Sequence, residues 1–250
     1  DRFSSHITTI FSAPEAPGLV RLILSSPEQW PQLHILKRDK GTTVSLVTLA
    51  GQPVVIKHHD LRTWRHWGDA FIHGSPAQRA WSGAKLLQSH GFPIPRPLGV
   101  FEKRSTGRVD ESWYCSEGLL GQLPLDLYWR HQRSHWSLRQ RRTFLRALAD
   151  FLRSFHAAGI YAGDMRDANL LVEERDNETW LFYLVDLDRI LYRLPLDQGR
   201  RIKNLVQLER SLGRSLQSSD RLFFLYCYFG DALPPPKQRR KFIRHLLRLR

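Results

Sequence analysis

The alternation of hydrophobic and polar positions predicts a strand-rich first half of the chain. Short apolar runs with β-branched residues indicate three antiparallel strands over residues 34–38, 43–49 and 53–57, joined by turns that contain glycine. Prolines keep residues 92–98 extended into a fourth strand, and residues 113–117 read as the fifth. The first half is therefore expected to fold as an antiparallel sheet.

Helical spacing predicts one helix beside that sheet and further helices beyond residue 120. Ser75 and Pro76 supply an N-cap and a first helical residue for a helix that should end near Ser89, before a glycine. Farther along, apolar side chains recur every three or four residues: Phe144, Leu145, Leu148, Leu152 and Phe155. The apolar run over residues 222–229 predicts part of a buried helix.

The most informative polar motif is Gly-Asp-Met-Arg-Asp-Ala-Asn at residues 163–169, which precedes two short apolar strands. A hairpin of these strands would bring Asn169 and Asp186 to the same end, close to Asp164. In phosphoryl transfer from ATP, one aspartate orients the attacking hydroxyl, while an asparagine and a second aspartate hold magnesium. The motif therefore predicts Asp164 as the catalytic base and Asn169 and Asp186 as ligands of Mg²⁺.

Three residues of the strand-rich half are candidates for nucleotide binding. The strand that ends at Lys57 resembles the kinase strand whose lysine meets the α- and β-phosphates of ATP. Gly41 is the single glycine in the turn where a phosphate-covering loop would lie, and Glu117 ends the fifth strand at a predicted hinge. A strand-end lysine is often only a surface residue, and the order of Lys57 and the later motifs is what favours the nucleotide role.

The order of these elements predicts an α+β, bilobal, protein-kinase-like fold. We expect a β-rich, nucleotide-binding N-lobe over residues 1–120, including an N-terminal extension. A mainly helical C-lobe with the catalytic loop and the metal motif would cover residues 121–250. The chain has 250 residues, of which 42% are hydrophobic, so it is long enough to bury a full core.

The charge of the chain indicates an anionic partner. Lys and Arg number 38 against 24 Asp and Glu, a net charge of +14, and residues 237–250 carry seven Lys or Arg and no acid. At helical spacing this C-terminal segment predicts a basic amphipathic helix, which either binds an anionic membrane surface or caps the C-lobe. Nucleic acid is not expected as a partner, because no nucleic-acid-binding motif accompanies the charge. No apolar run is long enough to span a bilayer, so a soluble or peripheral protein is expected.

Four segments together resemble the lipopolysaccharide kinase family, which includes the Kdo and core-heptose kinases of Gram-negative bacteria. They are residues 75–98, 163–172, 185–189 and 203–212. Members are similar in having a catalytic loop without the usual histidine, an Ile-Asp-Phe-Asp-Arg-like metal motif and a basic helix with an Asn-Leu pair. The resemblance implies an ATP- and Mg²⁺-dependent transferase that phosphorylates a sugar hydroxyl of the lipopolysaccharide inner core, on Kdo or heptose. It implies a cytoplasmic enzyme, peripheral at the cytoplasmic face of the inner membrane, with lipopolysaccharide core or another anionic glycolipid as substrate.

Carried over residue by residue, the resemblance assigns Lys57 to the ATP phosphates, Asp164 to the base, and Asn169 and Asp186 to magnesium. Asp188 has three open roles: a second metal contact, a partner for Lys57 or a neighbouring arginine, or a structural ion pair. The chain after it is short and basic and has no Ala-Pro-Glu motif, which favours a small or glycolipid acceptor over a peptide. The basic residues there either meet core phosphates or form a solvated face: Arg193, Arg200, Arg201 and Lys203.

One departure from protein kinases keeps other functions open. The helix glutamate that pairs with the nucleotide lysine aligns with Ala80, and no Asp or Glu occurs between Asp69 and Glu102. Besides the lipopolysaccharide kinase, two alternatives therefore stand. One is a kinase of another small acceptor, as in the aminoglycoside and choline kinase relatives. The other is a catalytically weak, kinase-like protein that binds nucleotide or lipid.

Overall fold

The computed structural model describes residues 6–12, 18–25, 29–39, 41–62, 73–105, 108–176 and 178–230. The chain divides into two units. The first contains the described residues up to Leu86 together with Ile94–Leu120, and the second contains Leu87–Pro93 and the described residues from Gly121 onward. The basic segment at residues 237–250 lies outside the described residues.

The first unit is built on a six-stranded antiparallel sheet with the order β1-β5-β6-β4-β3-β2. The strands are β1 (His6–Ser12), β2 (His34–Asp39), β3 (Thr42–Leu49), β4 (Gln52–Asp60), β5 (Pro97–Ser105) and β6 (Arg108–Glu117). The predicted strands are confirmed, although the fourth, β5, begins only at Pro97, so that residues 92–96 precede it. Strand β1 is an addition that the sequence did not predict.

Apolar side chains on one face of this sheet form the core of the first unit with the short helix α1 (Leu19–Leu24). The fully buried members are Leu19, Val47, Ile56, Phe101 and Cys115. Burying this apolar surface is the main stabilising contribution to such a unit. In β3 and β4 the alternation that predicted the strands is thus the alternation between core-facing and outward-facing positions, whereas β2 is exposed throughout.

Helix α2 (Pro76–Ser89) begins and ends as its sequence predicts. The Ser75 hydroxyl accepts a hydrogen bond from the Gln78 amide at 3.2 Å, which satisfies one of the unpaired donors of the first turn. After Ser89 the chain turns at Gly91, whose φ of 74° is a conformation that glycine adopts without steric cost.

The second unit is mainly helical. Its helices are α3 (Leu125–Gln132), α4 (Leu138–Ala157), α5 (Gln198–Leu212) and α6 (Ser218–Phe229). Its strands are β7 (Leu123–Pro124), β8 (Ile160–Ala162), β9 (Leu170–Glu174), β10 (Trp180–Leu184) and β11 (Ile190–Tyr192). They pair as β10-β9-β7 and as β11-β8. A strand-rich first part followed by a helix-rich second part confirms the predicted α+β fold class.

Helix α4 carries the core of the second unit. The five apolar residues that predicted it are buried or fully buried, and a capping box between Ser137 and Gln140 begins it at Leu138. Phe144 lies 5.2 Å from the ring of Trp180 and 5.7 Å from that of Phe182, measured between ring centroids. These aromatic contacts fix the β9–β10 hairpin against the helix.

The apolar run over residues 222–229 lies in helix α6, as predicted, but this helix is less buried than expected. In α6 only Asp220, Phe224 and Tyr228 are buried, whereas Leu222 and Tyr226 are exposed, so this helix is buried along one face only. Among the described residues, none of the helices has the length and apolarity needed to cross a membrane.

Candidate active site

The β9–β10 hairpin aligns the two predicted magnesium ligands. Leu170 at the start of β9 pairs with Leu184 at the end of β10, and just outside this pair the Val185 amide donates to the Asn169 carbonyl at 3.1 Å. Asn169 therefore directly precedes β9. Asp186 directly follows Val185, the residue that is hydrogen-bonded to Asn169. The structure brings these two residues to the same end of one hairpin.

The loop from Gly163 to Asn169 closes on itself and ties Asp164 to Asn169. The Asn169 side-chain amide donates to the Asp164 carbonyl at 2.9 Å, and the Asn169 backbone amide donates to the Arg166 carbonyl at 3.0 Å. Because the side-chain nitrogen is used in this way, the carbonyl oxygen of the Asn169 side chain is the atom suited to a cation.

Arg166 is a site residue that sequence reasoning missed. Its guanidinium donates to the carboxylate of Asp164 at 2.5 Å. That hydrogen bond raises the pKa of Arg166, and the negative charges of Asp164, Asp186 and Asp167 raise it further. The positive charge of Arg166 is therefore stabilised by three carboxylates of the site. The signal available in the sequence was its position two residues after the proposed base.

Side chains of α5 hold the backbone of the loop. Gln207 donates from its amide to the Gly163 carbonyl at 2.8 Å and accepts from the Met165 amide at 3.3 Å. One turn later the Ser211 hydroxyl accepts from the Asp167 amide at 3.1 Å. Since residues four apart lie on one face of a helix, a single face of α5 fixes the path of the loop.

Asn204, on the same helix, fixes the residue at which the loop begins. Its side-chain nitrogen donates to the Ala162 carbonyl at 2.6 Å, and its oxygen accepts from the Ala162 amide at 3.4 Å. That oxygen also lies 3.1 Å from Nε2 of His156, whose Nδ1 lies 2.7 Å from the Tyr228 hydroxyl. With the asparagine oxygen as acceptor, Nε2 carries the hydrogen and Nδ1 accepts from the tyrosine.

The catalytic loop lacks the histidine that is usual in protein kinases, and this network holds the start of the loop in its place. Ala162 occupies the position two residues before Asp164, and the polar groups of its backbone are paired by Asn204, which is only 1% exposed. Burial lowers the pKa of His156 to about 4, so the ring that supports Asn204 is neutral at neutral pH. The network joins residues from three helices, which is why no local pattern predicted it.

Asp188 directly precedes a residue that is hydrogen-bonded to the same loop. The next residue, Arg189, accepts a hydrogen bond on its carbonyl from the Gly163 amide at 2.8 Å, while the preceding residue, Leu187, is buried. Asp188 itself is half-buried.

The three predicted nucleotide-binding residues belong to the first unit. Lys57 is half-buried on β4, opposite Val44 on β3 and Tyr114 on β6. Gly41 adopts a φ of 72° immediately before β3, and its carbonyl accepts from the Asp60 amide at 2.8 Å. Glu117 ends β6 and lies 3.6 Å from the guanidinium of Arg96.

The donor set suits magnesium better than a transition metal. Asn169, Asp186 and Asp188 offer only oxygen atoms, which are the ligands that Mg²⁺ prefers. Within the described ranges, no group of three or more His, Cys, Asp or Glu is arranged to hold a metal ion. A site with few protein oxygens fits Mg²⁺, which usually keeps several waters and binds substrate phosphates.

Comparison with known proteins identifies the fold and the family of the chain. The chain is similar to a solved structure described as WaaP in complex with acyl carrier protein, with a TM-score of 0.68 and 19% sequence identity. The alignment covers 97% of this chain and 95% of that one, and it supports the predicted kinase-like fold. No curated protein sequence matches the chain. The family model described as lipopolysaccharide kinase (Kdo/WaaP) matches residues 57–228, which run from the β4 lysine to α6. Because this match spans most of its length, the chain belongs to the lipopolysaccharide kinase (Kdo/WaaP) family.

Proposed function

We propose that this protein transfers the γ-phosphoryl group of ATP to a sugar hydroxyl of the lipopolysaccharide inner core, on Kdo or heptose. The observation that carries the proposal is the hydrogen-bonded unit of Asp164, Asn169 and Val185, because Asp186 directly follows Val185 in the chain. Membership in the lipopolysaccharide kinase family supports the acceptor class.

In this proposal each residue has one task. Asp164 orients the acceptor hydroxyl and takes its proton, and Arg166 holds the Asp164 carboxylate in place and adds positive charge. Asn169 and Asp186 would hold magnesium, with Asp188 as a further contact. When bound, the ion offsets the charge of the phosphates. Lys57, Gly41 and Glu117 bind the nucleotide.

Isosteric variants test these roles. We expect Asp164→Asn and Asp186→Asn each to lower phosphate incorporation into deacylated core oligosaccharide by about 100-fold or more, because each removes a charge needed in the transition state. Asp150→Asn is the matched control. Asp150 is paired with Arg153 on α4 at 2.7 Å, away from the loop, and its variant should retain full activity. Full activity of Asp164→Asn would contradict the proposal.

The weak-kinase alternative is favoured by one observation. Ala80 is buried in α2, and that helix contains no acid to pair with the nucleotide lysine. Under this alternative the intact protein binds ATP with Mg²⁺, but no core oligosaccharide is phosphorylated. Phosphorylation of a different alcohol in the same assay would instead indicate a kinase of another small acceptor.

The similarity to WaaP bound to acyl carrier protein suggests a second partner. We propose that this chain also binds a carrier protein, through a groove of about 460 Å³ lined by Arg139, Arg142, Arg146 and Phe223, among others. The guanidinium carbons of Arg142 and Arg146 lie 5.3 and 5.9 Å from the Phe223 ring, which holds the two cations in place for an acidic surface. Charge reversal at Arg142 and Arg146 should abolish co-purification with acyl carrier protein, and undiminished binding would contradict this.

A further inference from the structure

Three exposed apolar side chains lie close to the catalytic loop along β11 and the residues that follow it. Leu191, Tyr192 and Leu194 are 52%, 52% and 62% exposed, and we refer to them together as the 191–194 patch. No other stretch of four residues in the described part of the chain contains three large apolar side chains with comparable exposure. Clustered apolar exposure of this kind marks an interaction surface.

Two positively charged residues flank the first two members of the patch. Arg189 and Arg193 are exposed on either side of Leu191 and Tyr192, and neither takes part in the ion pairs of the described residues. At the boundary between lipid headgroups and acyl chains, leucine enters the apolar layer, tyrosine remains at the interface, and arginine meets the phosphates. The charge and polarity of the segment therefore complement an anionic bilayer.

The patch is also fixed in position relative to the proposed base. Strand β11 pairs with β8, and the ladder continues at both ends, where the Gly163 amide donates to the Arg189 carbonyl at 2.8 Å and the Arg193 amide donates to the Gly159 carbonyl at 2.7 Å. Asp164 follows Gly163 directly. A surface that binds the patch is consequently held at a constant distance from Asp164.

We propose that the 191–194 patch, with Arg189 and Arg193, docks the protein on an anionic phospholipid bilayer and so presents the catalytic loop to an acceptor anchored there. This inference rests on the proposed function in one respect, because a membrane-anchored acceptor is what makes the docking useful. The docking itself is measured without any acceptor.

Vesicle binding of the full chain tests the proposal. We expect the intact protein to bind vesicles of phosphatidylglycerol and phosphatidylethanolamine, and to bind vesicles of phosphatidylcholine alone much more weakly. The double variant Leu191→Ser with Leu194→Ser should bind the anionic vesicles about tenfold more weakly or worse, because it removes both aliphatic anchors. The control replaces Leu24 and Leu127 by serine. These leucines are 60% and 41% exposed elsewhere, and their loss should leave binding unchanged.

A site-specific probe keeps the proposal testable if other surfaces of the protein also bind lipid. An environment-sensitive fluorophore on Leu194→Cys, in a Cys227→Ser background, should shift its emission to the blue when anionic vesicles are added. The same label on Leu127→Cys should not. No shift at position 194, or equal vesicle binding by the intact protein and the patch variant, would overturn the proposal. A patch variant that changes the protein from dimer to monomer without altering vesicle binding would overturn it in favour of contact between two copies.

Activity on a soluble acceptor separates this inference from the proposed function. The patch variant should phosphorylate deacylated core oligosaccharide at the rate of the intact protein, since neither Leu191 nor Leu194 has a part in the proposed chemistry. A different outcome is that neither the intact protein nor the patch variant phosphorylates the core oligosaccharide, while the patch variant still loses vesicle binding. In that case the docking surface stands and the proposed acceptor is wrong.

Discussion

His156 shows how one buried residue connects stability with the catalytic loop. Its Nε2 donates to Asn204, which in turn binds both polar groups of the Ala162 backbone. A second proton on the ring would displace the hydrogen bond that Nδ1 accepts from Tyr228. It would also place a charge in a buried site near Arg201, and both burial and that arginine lower the pKa of the ring.

This arrangement predicts a stability that falls in mild acid. The pKa of His156 is about 4 in the folded protein, below the ordinary histidine value of 6.5, so the unfolded chain binds the proton first. The contribution is complete above the unfolded pKa and is lost as the pH falls through the interval between the two values. The full loss is about 3 kcal/mol. Urea unfolding at neutral pH and at about pH 5 measures the part of this loss that falls between those pH values, about 2 kcal/mol.

His156→Gln is the control, because glutamine does not titrate. The difference in unfolding free energy between the intact protein and this variant should shrink at the lower pH. Burial raises the pKa of Asp167, which acts in the opposite direction, but Asp167 is present in both proteins and cancels from the comparison. A difference that is equal at both pH values would show that His156 does not carry the effect.

Among individual residues, the sequence predicted those that form a motif with a characteristic spacing. Asp164, Asn169 and Asp186 follow from a loop and a hairpin that are local in the chain, and the structure supplies the hairpin register that aligns Asn169 with Asp186. Gln207 and Asn204 were not predicted to hold the loop. They bind backbone atoms about forty residues away, and such contacts leave no pattern in the sequence.

Among the elements, the β8–β11 ladder depends on close approach between two backbones. Gly159 has a φ of 79°, and a Cβ atom there would lie 2.9 Å from the Arg193 carbonyl oxygen. Gly91 has a similar φ of 74°, but a Cβ atom there would meet open space. Replacement by alanine therefore places a side chain on a backbone with positive φ at both positions. Only at Gly159 does it also create a steric contact.

We expect Gly159→Ala to destabilise the protein more than Gly91→Ala does. The conformational penalty of about 1 kcal/mol applies to both, and the contact with β11 adds about 1–3 kcal/mol at Gly159 only. Chemical denaturation of the two variants gives the difference. Equal destabilisation would mean that the ladder adjusts without cost, and the activity of Gly159→Ala would then be unaffected as well.

Elements with strong periodicity were predicted, and elements that exist only through pairing were not. Helix α4 and the β9–β10 hairpin follow from their apolar spacing. Strands β8 and β11 have three residues each, too few to show alternation, and β1 is an edge strand with exposed side chains at Thr8–Ile10. These three strands are defined by their hydrogen-bonded partners.

For the whole molecule, the proposed function predicts stabilisation by nucleotide that depends on magnesium. At a concentration of a nonhydrolysable ATP analogue about 100 times its dissociation constant, binding adds about 2.7 kcal/mol, which for a chain of this size raises Tm by about 5 °C or more. Asp186→Asn should lose the part of the shift that EDTA removes from the intact protein. Lys57→Met should lose most of the shift. A shift of the intact protein that EDTA leaves unchanged would contradict the metal assignment.

At the same scale the sequence predicted the α+β class and the family, because the motifs that define both occur in a fixed order along the chain. The two units are not separated by a single boundary in the sequence, because Leu87–Pro93 belong to the same unit as the described residues from Gly121 onward. The Leu184 amide donates to the Pro93 carbonyl at 3.4 Å, a contact between distant parts of the chain that only the folded structure reveals.

The hydrogen bonds from α5 to the catalytic loop end on main-chain atoms, which every amino acid possesses. The exposed side chain of Ala168 contributes nothing to that support, so another residue can replace it while the loop keeps its path. The path of the loop is therefore encoded largely in the side chains of α5 and less in the exposed positions of the loop. Under mutation and selection, a position of this kind can change without loss of the loop's shape.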